Sequence, residues 1–407
     1  MTLITFNENE HNLDTFLDLN DSLSQQKLEN YHNEGARGQC QCRKDDHTRE
    51  ISIKKREHFY LTRMPGTSRE HAAYCPFGIS NKDFFKQHIS ENSITEKSNG
   101  MASITLGCYL EKLDKTTSSP RIQELKKISR QSTKSRMTLL GLLLYLLEKG
   151  NLITWYPNRK FSPSFNSLSK AISEAANFIE IGKKPMPLLL SDILFIPSWN
   201  YNNKNQAELN RSELFKKSLS KNKAVLLIGE VTSWSPSKNT SSWYELKIKY
   251  LGSKLLIKKG LAEKAISRFT DEISGIPKTN QNVLMICSVF RNEEILQISN
   301  ISFKRFTKEY IPVDSSYEIT MATKLVEQKR MFKKPVRLNK NDLYLPDFVL
   351  LDTQQKYIIE VFGMMSVIKY QAHAQEKKEY YIANHIPFIS WIPGEEMPDF
   401  PVAKPLP

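Results

Sequence analysis

Asp347 and Glu360 stand at the ends of a stretch whose pattern predicts a β-hairpin. Apolar runs at residues 348–351 and 357–362 flank a polar connection at residues 352–355. If Leu351 pairs with Lys356, Asp347 lies opposite Glu360 on the same face of the hairpin. Two carboxylates that face each other in a buried sheet repel and lose solvation, and a divalent cation removes both costs. The spacing therefore predicts a divalent metal site.

The alternative is an exposed hairpin whose two carboxylates face water. Both faces are otherwise apolar, which favours a sheet that is covered on both sides. A shift of the register by one residue would place the carboxylates on opposite faces. The prediction of a site therefore depends on the register of this hairpin.

The flanking sequence predicts the elements that position the hairpin. Ser316 can cap a helix that runs to about Met331, and a second helix covers about residues 367–383. Strands are predicted at residues 333–339 and 386–392. The predicted order is α-β-β-β-α-β, with Pro346 and Asp347 on one central strand and Glu360 on the next.

This arrangement, over residues 314–391, resembles the common core of the PD-(D/E)XK nuclease fold of the restriction-endonuclease-like superfamily. The resemblance implies that Asp347 and Glu360, with the main-chain carbonyl of Val361, bind a catalytic Mg²⁺ or Mn²⁺. It also leads us to expect a lysine two residues after Glu360, where this chain has Phe362. Either the enzyme is inactive or the lysine has moved. Lys377, on the following predicted helix, is our candidate for a moved lysine.

A carboxylate from the first helix often assists in that superfamily, and Glu318 fits this position. The alternative is that Glu318 only complements the helix dipole. The run Glu360-Val361-Phe362-Gly363, followed by Tyr370, Lys377 and Tyr380, also resembles an uncharacterised bacterial family encoded near conjugative and mobile elements. That resemblance implies a fold and a context, and it extends over most of the chain.

A second group of potential metal ligands lies near the N-terminus. Cys40-x-Cys42 is followed by His71-x3-Cys75, and a short helix over residues 68–75 would bring His71 and Cys75 together. Three thiolates and one imidazole are ligands that suit structural zinc. Alternating residues 51–53 and 58–62 predict a small hairpin as the scaffold. Buried reduced cysteines are the alternative, and His47 or His58 could substitute as ligands; the same family resemblance includes these four positions.

The charge distribution favours a polyanionic partner. The net charge is +14 and the isoelectric point about 9.3, although residues 1–36 hold seven acidic residues and one lysine. A basic run beside the predicted metal site could bind phosphates, or it could be a solvated surface. Its members are Lys324, Lys329, Arg330, Lys333, Lys334, Arg337 and Lys340.

Composition limits the remaining possibilities. The longest apolar run, residues 139–147, is too short to span a bilayer, and five cysteines in a lysine-rich chain favour a reducing cytoplasm. We expect an α+β multidomain protein without a membrane segment. Its predicted parts are an acidic arm (1–36), a zinc-knuckle-like module (37–100), a helical region (101–222), a β-rich region (223–312) and the αβββαβ restriction-endonuclease-like domain (313–407).

In the β-rich region the pattern predicts five strands and a helix near residues 261–273. Trp234, Trp243 and Tyr244 of this region could stack on bases, but core packing is favoured.

Two functions from different classes follow from the sequence. The first is a metal-dependent nuclease that hydrolyses DNA phosphodiester bonds, in the processing of mobile-element DNA. The second is an inactive member of the fold that binds nucleic acid or assembles a mobile-element protein complex, which the phenylalanine at position 362 favours. A zinc-stabilised scaffold that binds only protein is a third.

Overall fold

The structure is a computed structural model of the 407-residue chain. It divides into two compact units, residues 1–84 with 364–380 and residues 85–363 with 381–407. The residues that it describes are 3–17, 21–42, 49–55, 58–64, 67, 70–71, 75, 77, 93–108, 110, 136–157, 164–182, 187–198, 204–219, 223–276, 278, 280–292, 295–338, 342–363, 365 and 368–404.

The first unit is built on an antiparallel sheet with the order β2-β1-β3-β4-β5. A 3₁₀ helix at Leu13–Leu17 and helix α1 at Ser22–Asn33 follow the first two strands. The strands are β1 (Leu3–Phe6), β2 (Asn9–Asn12), β3 (Gly38–Cys40), β4 (Glu50–Lys55) and β5 (Phe59–Arg63). The predicted hairpin of the zinc module is therefore confirmed as β4 and β5.

The first 36 residues are not a separate arm. Ile4, Phe6, Leu13, Phe16 and Leu28 are buried in one hydrophobic cluster that also contains the cysteines of the proposed zinc module. The acidic residues of this segment lie between those apolar positions, so they give the segment its charge without preventing it from folding. The boundary expected at residue 36 falls inside one core.

The region predicted to be helical also contains a sheet. Helices α2 (Leu139–Lys149), α3 (Phe165–Ala176), α4 (Leu190–Ile193) and α5 (Lys204–Ser218) are present. The sheet has the order β10-β9-β7-β6, formed by β6 (Ile94–Glu96), β7 (Ala102–Ile104), β9 (Ile179–Ile181) and β10 (Leu188–Leu189). Two further short strands, β8 (Thr154–Trp155) and β11 (Leu194–Phe195), join neighbouring sheets.

The β-rich region closes into a barrel. Its five strands are β12 (Val225–Pro236), β13 (Trp243–Ile248), β14 (Leu255–Lys258), β15 (Gln281–Asn292) and β16 (Ile295–Thr307), and helices α6 (Lys259–Arg268) and α7 (Thr270–Ile273) follow the third strand. The predicted strands and helix are confirmed. Around the ring the order is β12-β13-β14-β16-β15, and β15 pairs again with β12.

One strand changes partners to close this barrel. β12 pairs with β15 over residues 225–230 and with β13 from Val231, beside a bulge between Val231 and Ser233. Such bulges bend a strand at a barrel corner. Gly229 lies at this bend, and a Cβ there would stand 2.7 Å from Cδ1 of Ile248. The close approach of β13 therefore requires the glycine.

The C-terminal elements follow the predicted chain order α-β-β-β-α-β. They are α8 (Ser316–Glu327), β18 (Phe332–Lys333), β19 (Phe348–Leu350), β20 (Tyr357–Val361), α9 (Ile368–Ala383) and β21 (Phe388–Trp391), after a short β17 (Pro312–Val313). The sheet order is β21-β20-β19-β18-β8, with β20 and β21 parallel and the other pairs antiparallel. The first helix is capped by Ser315 instead of Ser316, so it begins one residue earlier than expected, and it ends at Glu327.

A buried ion pair connects the turn that follows α8 to the loop of the β19–β20 hairpin. Arg330 donates to both carboxylate oxygens of Asp352, at 2.9 and 2.7 Å, and the Met331 N–H donates to the same carboxylate at 2.8 Å. Burial raises the pKa of Asp352, but these donors outweigh it and hold the pKa below its usual value. The ion pair thus fixes the end of helix α8 against the loop of the β19–β20 hairpin.

We expect Arg330→Met to lower the free energy of unfolding by about 3–5 kcal/mol at neutral pH, because it leaves the Asp352 charge buried without its partner. Urea denaturation measures this loss. Lys324→Ala, on a half-buried residue in the last turn of α8, is the control and should stay within about 0.5 kcal/mol of wild type. Adding Asp352→Asn to Arg330→Met should recover part of the loss, since no uncompensated charge remains. If Arg330→Met alone is as stable as wild type, the ion pair does not stabilise the fold in this way.

Candidate functional site

The hairpin has the register that the sequence predicts. Phe348 pairs with Ile359, Val349 with Ile358, and Leu350 with Tyr357. Continuing by one residue sets Asp347 beside Glu360, and the Val361 N–H donates to Oδ2 of Asp347 at 2.8 Å. The two carboxylates are therefore neighbours at the start of β19 and the end of β20.

Glu360 is completely buried, and its Oε1 accepts a hydrogen bond of 2.6 Å from the hydroxyl of Tyr381 near the end of α9. Tyr381 also packs against Phe388 of the last strand, with ring centroids 5.3 Å apart. The tyrosine thus fixes the carboxylate from one side. A buried carboxylate of this kind needs such donors or a cation to remain ionised.

A buried lysine joins the carboxylates on the other side. Nζ of Lys334 lies 2.8 Å from Glu318, 3.0 Å from Asp314 and 3.8 Å from Asp347. Only 2 % of this residue is exposed. Burial lowers the pKa of Lys334, but the three carboxylates outweigh burial and raise the pKa above its usual value. Lys334 therefore stays charged and holds three elements together.

The local structure explains how Glu318 reaches this lysine. Ser315 caps α8 by accepting from the Glu318 N–H at 3.1 Å, which places Glu318 in the first turn. Its Oε2 also accepts from the Asp314 N–H at 3.0 Å. Glu318 therefore complements the helix start and also belongs to the carboxylate cluster.

Within the described ion pairs, this cluster contains more carboxylates than ammonium groups. Lys304 of β16 pairs with Asp314 in addition to Lys334, so two ammonium groups face the three carboxylates of Asp314, Glu318 and Asp347. Burial raises the pKa of Asp314, but the two lysines outweigh it and lower the pKa. Burial raises the pKa of Glu318 to about 7, with Asp314 and Asp347 adding to the rise and Lys334 opposing it. An added cation would relieve this excess.

Lys377 lies on α9 in the part of the helix that belongs to the first unit, and it is 6 % exposed. The carboxylates belong to the second unit. Phe362, at the position expected for a lysine, is buried and its N–H donates to the Trp391 carbonyl at 2.9 Å. The role of Lys377 stays a prediction, and Lys334 and Lys304 are ammonium groups that the structure places beside these carboxylates.

The predicted basic surface is smaller than expected. Arg330 and Lys334 are buried in ion pairs, and Arg337 pairs with Glu148 at 3.0 Å. Lys329 is exposed, Lys324 and Lys333 are half-buried, and Lys340 lies outside the described residues. Sequence alone did not reveal the two buried members, because their carboxylate partners come from distant segments.

The cysteine and histidine ligands do come together in the first unit. The Sγ atoms of Cys40 and Cys75 are 3.5 Å apart, and Nδ1 of His71 is 3.6 Å from Sγ of both Cys42 and Cys75. All four ligand atoms lie within 4.8 Å of one another and all four residues are buried. The cluster can hold a metal ion such as zinc. Most of the helix predicted over residues 68–75, and the alternative ligand His47, lie outside the described residues.

The carboxylates converge less closely than the ligands of this cluster. Within the described ranges, no other group of three or more His, Cys, Asp or Glu ligands converges as closely as the cysteine and histidine group. Asp347 and Glu360 nevertheless supply two oxygen ligands on adjoining strands, the ligand type that Mg²⁺ and Mn²⁺ prefer. The donor set therefore fits a hard divalent cation that keeps several waters or substrate oxygens.

Glu318→Gln should change the pH dependence of stability. The pKa of Glu318 lies above its usual value, so its contribution to wild-type stability is complete below about pH 4.5 and declines as the pH rises to about 7. Relative to wild type, the glutamine variant should gain up to a few kcal/mol between pH 5 and pH 8, since one pKa unit is equivalent to about 1.4 kcal/mol.

Urea denaturation at several pH values without added divalent cation measures the effect. Glu327→Gln, on an exposed residue of the same helix, is the matched control and should show no such trend. A constant difference between Glu318→Gln and wild type across this range would contradict the burial of an ionisable Glu318 in the cluster.

Among the described residues, no helix has the length and the apolar character needed to cross a membrane. The comparison with curated proteins gave no match, and the comparison with solved structures gave none either. A protein-family model does match, over residues 14–393, and its description is "Protein of unknown function (DUF1173)". Because this match covers nearly the whole chain, the protein belongs to the DUF1173 family.

Proposed function

We propose that the second unit is a metal-dependent phosphodiesterase that cleaves DNA. The observation that carries this proposal is the placement of Asp347 and Glu360 side by side on antiparallel β19 and β20, within an α-β-β-β-α-β chain order. The PD-(D/E)XK resemblance supplies the reaction class.

In this proposal Asp347, Glu360 and the Val361 carbonyl hold Mg²⁺ or Mn²⁺. When bound, the metal lowers the pKa of a water molecule and neutralises charge that develops on the phosphate. Tyr381 keeps Glu360 oriented through its hydrogen bond, and the Val361 N–H orients Asp347. These two contacts fix the carboxylates before any ligand arrives, which is the preorganisation that catalysis requires.

Lys334 places a buried ammonium group among the carboxylates. It balances part of the charge of Asp314, Glu318 and Asp347. We retain Lys377 as the group that positions the water or the scissile phosphate. The two lysines thus have different proposed tasks, one holding the carboxylates and the other contacting substrate.

Asp347→Asn and Glu360→Gln should abolish metal-dependent nicking of supercoiled plasmid, reducing the rate about a hundredfold or more. The reason is that metal catalysis supplies several kcal/mol and about 1.4 kcal/mol is tenfold in rate. The assay compares Mg²⁺, Mn²⁺ and no added divalent cation, on plasmid and on single-stranded DNA. Lys377→Met should strongly reduce cleavage without changing the unfolding midpoint of the second unit.

Glu327→Gln is the matched control for the carboxylate variants, because it removes an exposed acid from the same domain. Folding of each variant is checked by circular dichroism. If wild type cleaves nothing under any metal, or if both carboxylate variants cleave as wild type does, the nuclease proposal fails.

The second candidate is an inactive member of the fold that binds nucleic acid or assembles a complex. Phe362 fills the position expected for the lysine, and Lys334 already neutralises part of the cluster. Wild type that binds DNA with no cleavage under any metal would support this candidate.

We also propose that the first unit holds one structural zinc ion. Hydrogen bonds with Cys42 and Cys75, together with burial, raise the pKa of the Cys40 thiol, so in the absence of metal this thiol stays protonated. Zinc requires thiolates and releases their protons on binding. The ion would complete the buried core that joins β3 to the residues around His71.

The purified protein should contain about one zinc per chain, measured by atomic emission after gel filtration. Cys42→Ser and Cys75→Ser should each lose the metal. In both variants the first unit should have a lower unfolding temperature than in wild type. Cys108→Ser, which changes a half-buried cysteine outside the cluster, should keep the metal. Zinc retention should fall as the pH is lowered, because protons compete for the thiolates. Equal zinc content in all three variants would refute the assignment.

A further inference from the structure

The barrel in residues 225–307 has a recognisable topology. Its strands follow the ring order first-second-third-fifth-fourth, the third and fifth strands are parallel, and a helix lies between the third and fourth strands. This is the strand order of the OB-fold, a five-stranded Greek-key barrel. Barrels of this fold bind oligonucleotides or oligosaccharides on the face of the second and third strands. Here those strands are β13 and β14.

The alternation of side chains shows which residues form that face. Leu246, Ile248, Leu255 and Ile257 are buried inside the barrel. Their neighbours along each strand therefore point outward. The outward set is Trp243, Glu245, Lys247, Lys254, Leu256 and Lys258.

This face is strongly basic. Residues 237–259 contain six lysines and one acidic residue. That acid, Glu245, is neutralised by Lys254 at 2.7 Å. Lys247 and Lys258 are exposed, and the charge of Lys247 adds to that of Lys254 in lowering the pKa of Glu245. The positive charge favours a polyanion over a neutral sugar chain.

An aromatic ring lies among these lysines. Trp243 is half-buried and stands directly across from Lys258 in the register of β13 and β14. Trp234 differs: its ring packs 5.4 Å from Phe303 and 5.9 Å from Tyr244, as a core residue does. Of the two tryptophans, Trp243 is therefore the one on the outward face. Aromatic rings interleaved with lysines are the pattern that stacks bases and follows a single-stranded backbone.

The loop beside this face carries polar and basic side chains. Residues 237–242, which join β12 to β13, read Ser-Lys-Asn-Thr-Ser-Ser, and most of them are exposed. In OB-folds the loop between the first two strands borders the bound oligonucleotide. Hydroxyl, amide and ammonium donors in this loop suit phosphate and sugar oxygens.

We propose that the outer face of β13 and β14, with the 237–242 loop, binds single-stranded nucleic acid through stacking on Trp243 and phosphate contacts from Lys247 and Lys258. This site is separate in sequence from the carboxylate cluster, and it stands whether or not that cluster cleaves DNA. It gives the chain a way to hold an unpaired strand.

The test measures fluorescence anisotropy of labelled thymidine and uridine oligonucleotides of about 20 nucleotides, longer than the site of one OB-fold. The full-length chain carries Asp347→Asn, and no divalent cation is added, so binding is measured without cleavage. Trp243→Ala should raise Kd about tenfold, within the range of one base stack, whereas Trp243→Tyr should keep most of the affinity. Lys247→Ala and Lys258→Ala should each make the negative slope of log K against log salt shallower by about 0.7.

Matched controls come from exposed residues of the same unit that lie outside the barrel. Phe178→Ala removes an exposed aromatic ring, and Lys170→Ala removes an exposed lysine of α3. Both should bind as the parent does. The proposal is overturned if the parent binds neither oligonucleotide at about 100 μM, a weak limit for non-specific binding. It is also overturned if Trp243→Ala together with the two lysine variants changes nothing, or if a neutral oligosaccharide competes equally well.

The outcome separates this inference from the nuclease proposal. Weaker binding by Trp243→Ala in a protein that never cleaves would support the barrel site and reject only the nuclease. If wild type cleaves DNA and Trp243→Ala binds the oligonucleotides as the parent does, the nuclease proposal is supported and the barrel site is rejected.

Discussion

The second unit depends on how one buried ammonium group is neutralised. Lys334 lies at the end of β18 and would be strongly unfavourable in the interior without partners. Asp314, Glu318 and Asp347 supply them, and these residues come from the segment after β17, the first turn of α8 and the start of β19. The lysine can therefore be satisfied only when these segments are in their native positions. A buried ion pair of this kind contributes more to the choice of one arrangement than to net stability, and we offer that as a hypothesis for this chain.

The same network connects the barrel to the C-terminal sheet. Asp314 accepts from Lys304, which lies on β16 of the barrel, as well as from Lys334. Only β17 and a few further residues separate β16 from α8 along the chain. Gly363 adds a second close approach, because a Cβ there would stand 2.7 Å from Cδ2 of Tyr317 in the first turn of α8. The start of α8 is thus fixed from the barrel side and from the end of β20.

Sequence predicted the local structure well where short-range patterns decide it. The hairpin register followed from the length of the polar connection and from alternation, and the five barrel strands followed from their apolar runs. Barrel closure could not be predicted, because β12 changes partners at a bulge and pairs with residues about sixty positions away. Lys334 was expected on the surface because it lies in a basic run, and nothing in that run indicates carboxylates supplied from positions 314, 318 and 347. The N-terminal segment was expected to be a separate acidic arm, because its acidic residues outnumber the few apolar residues that form its core.

The two clusters of potential metal ligands differ in a way that bears on their tasks. The ligands of the first unit are soft thiols and an imidazole, each no more than 4 % exposed, and they converge on one point. The carboxylates are hard oxygen donors, and they are unequally exposed: the side chain of Asp347 is 18 % exposed, whereas Glu360 is completely buried. A structural metal site is closed by protein ligands, whereas a catalytic site must leave a position for water or substrate. The closed thiol cluster therefore has the character of a structural site, and Asp347 is the more accessible of the two carboxylates in the nuclease site that we propose. If the thiol cluster were instead the catalytic site, substrate would have to enter the buried core of the first unit.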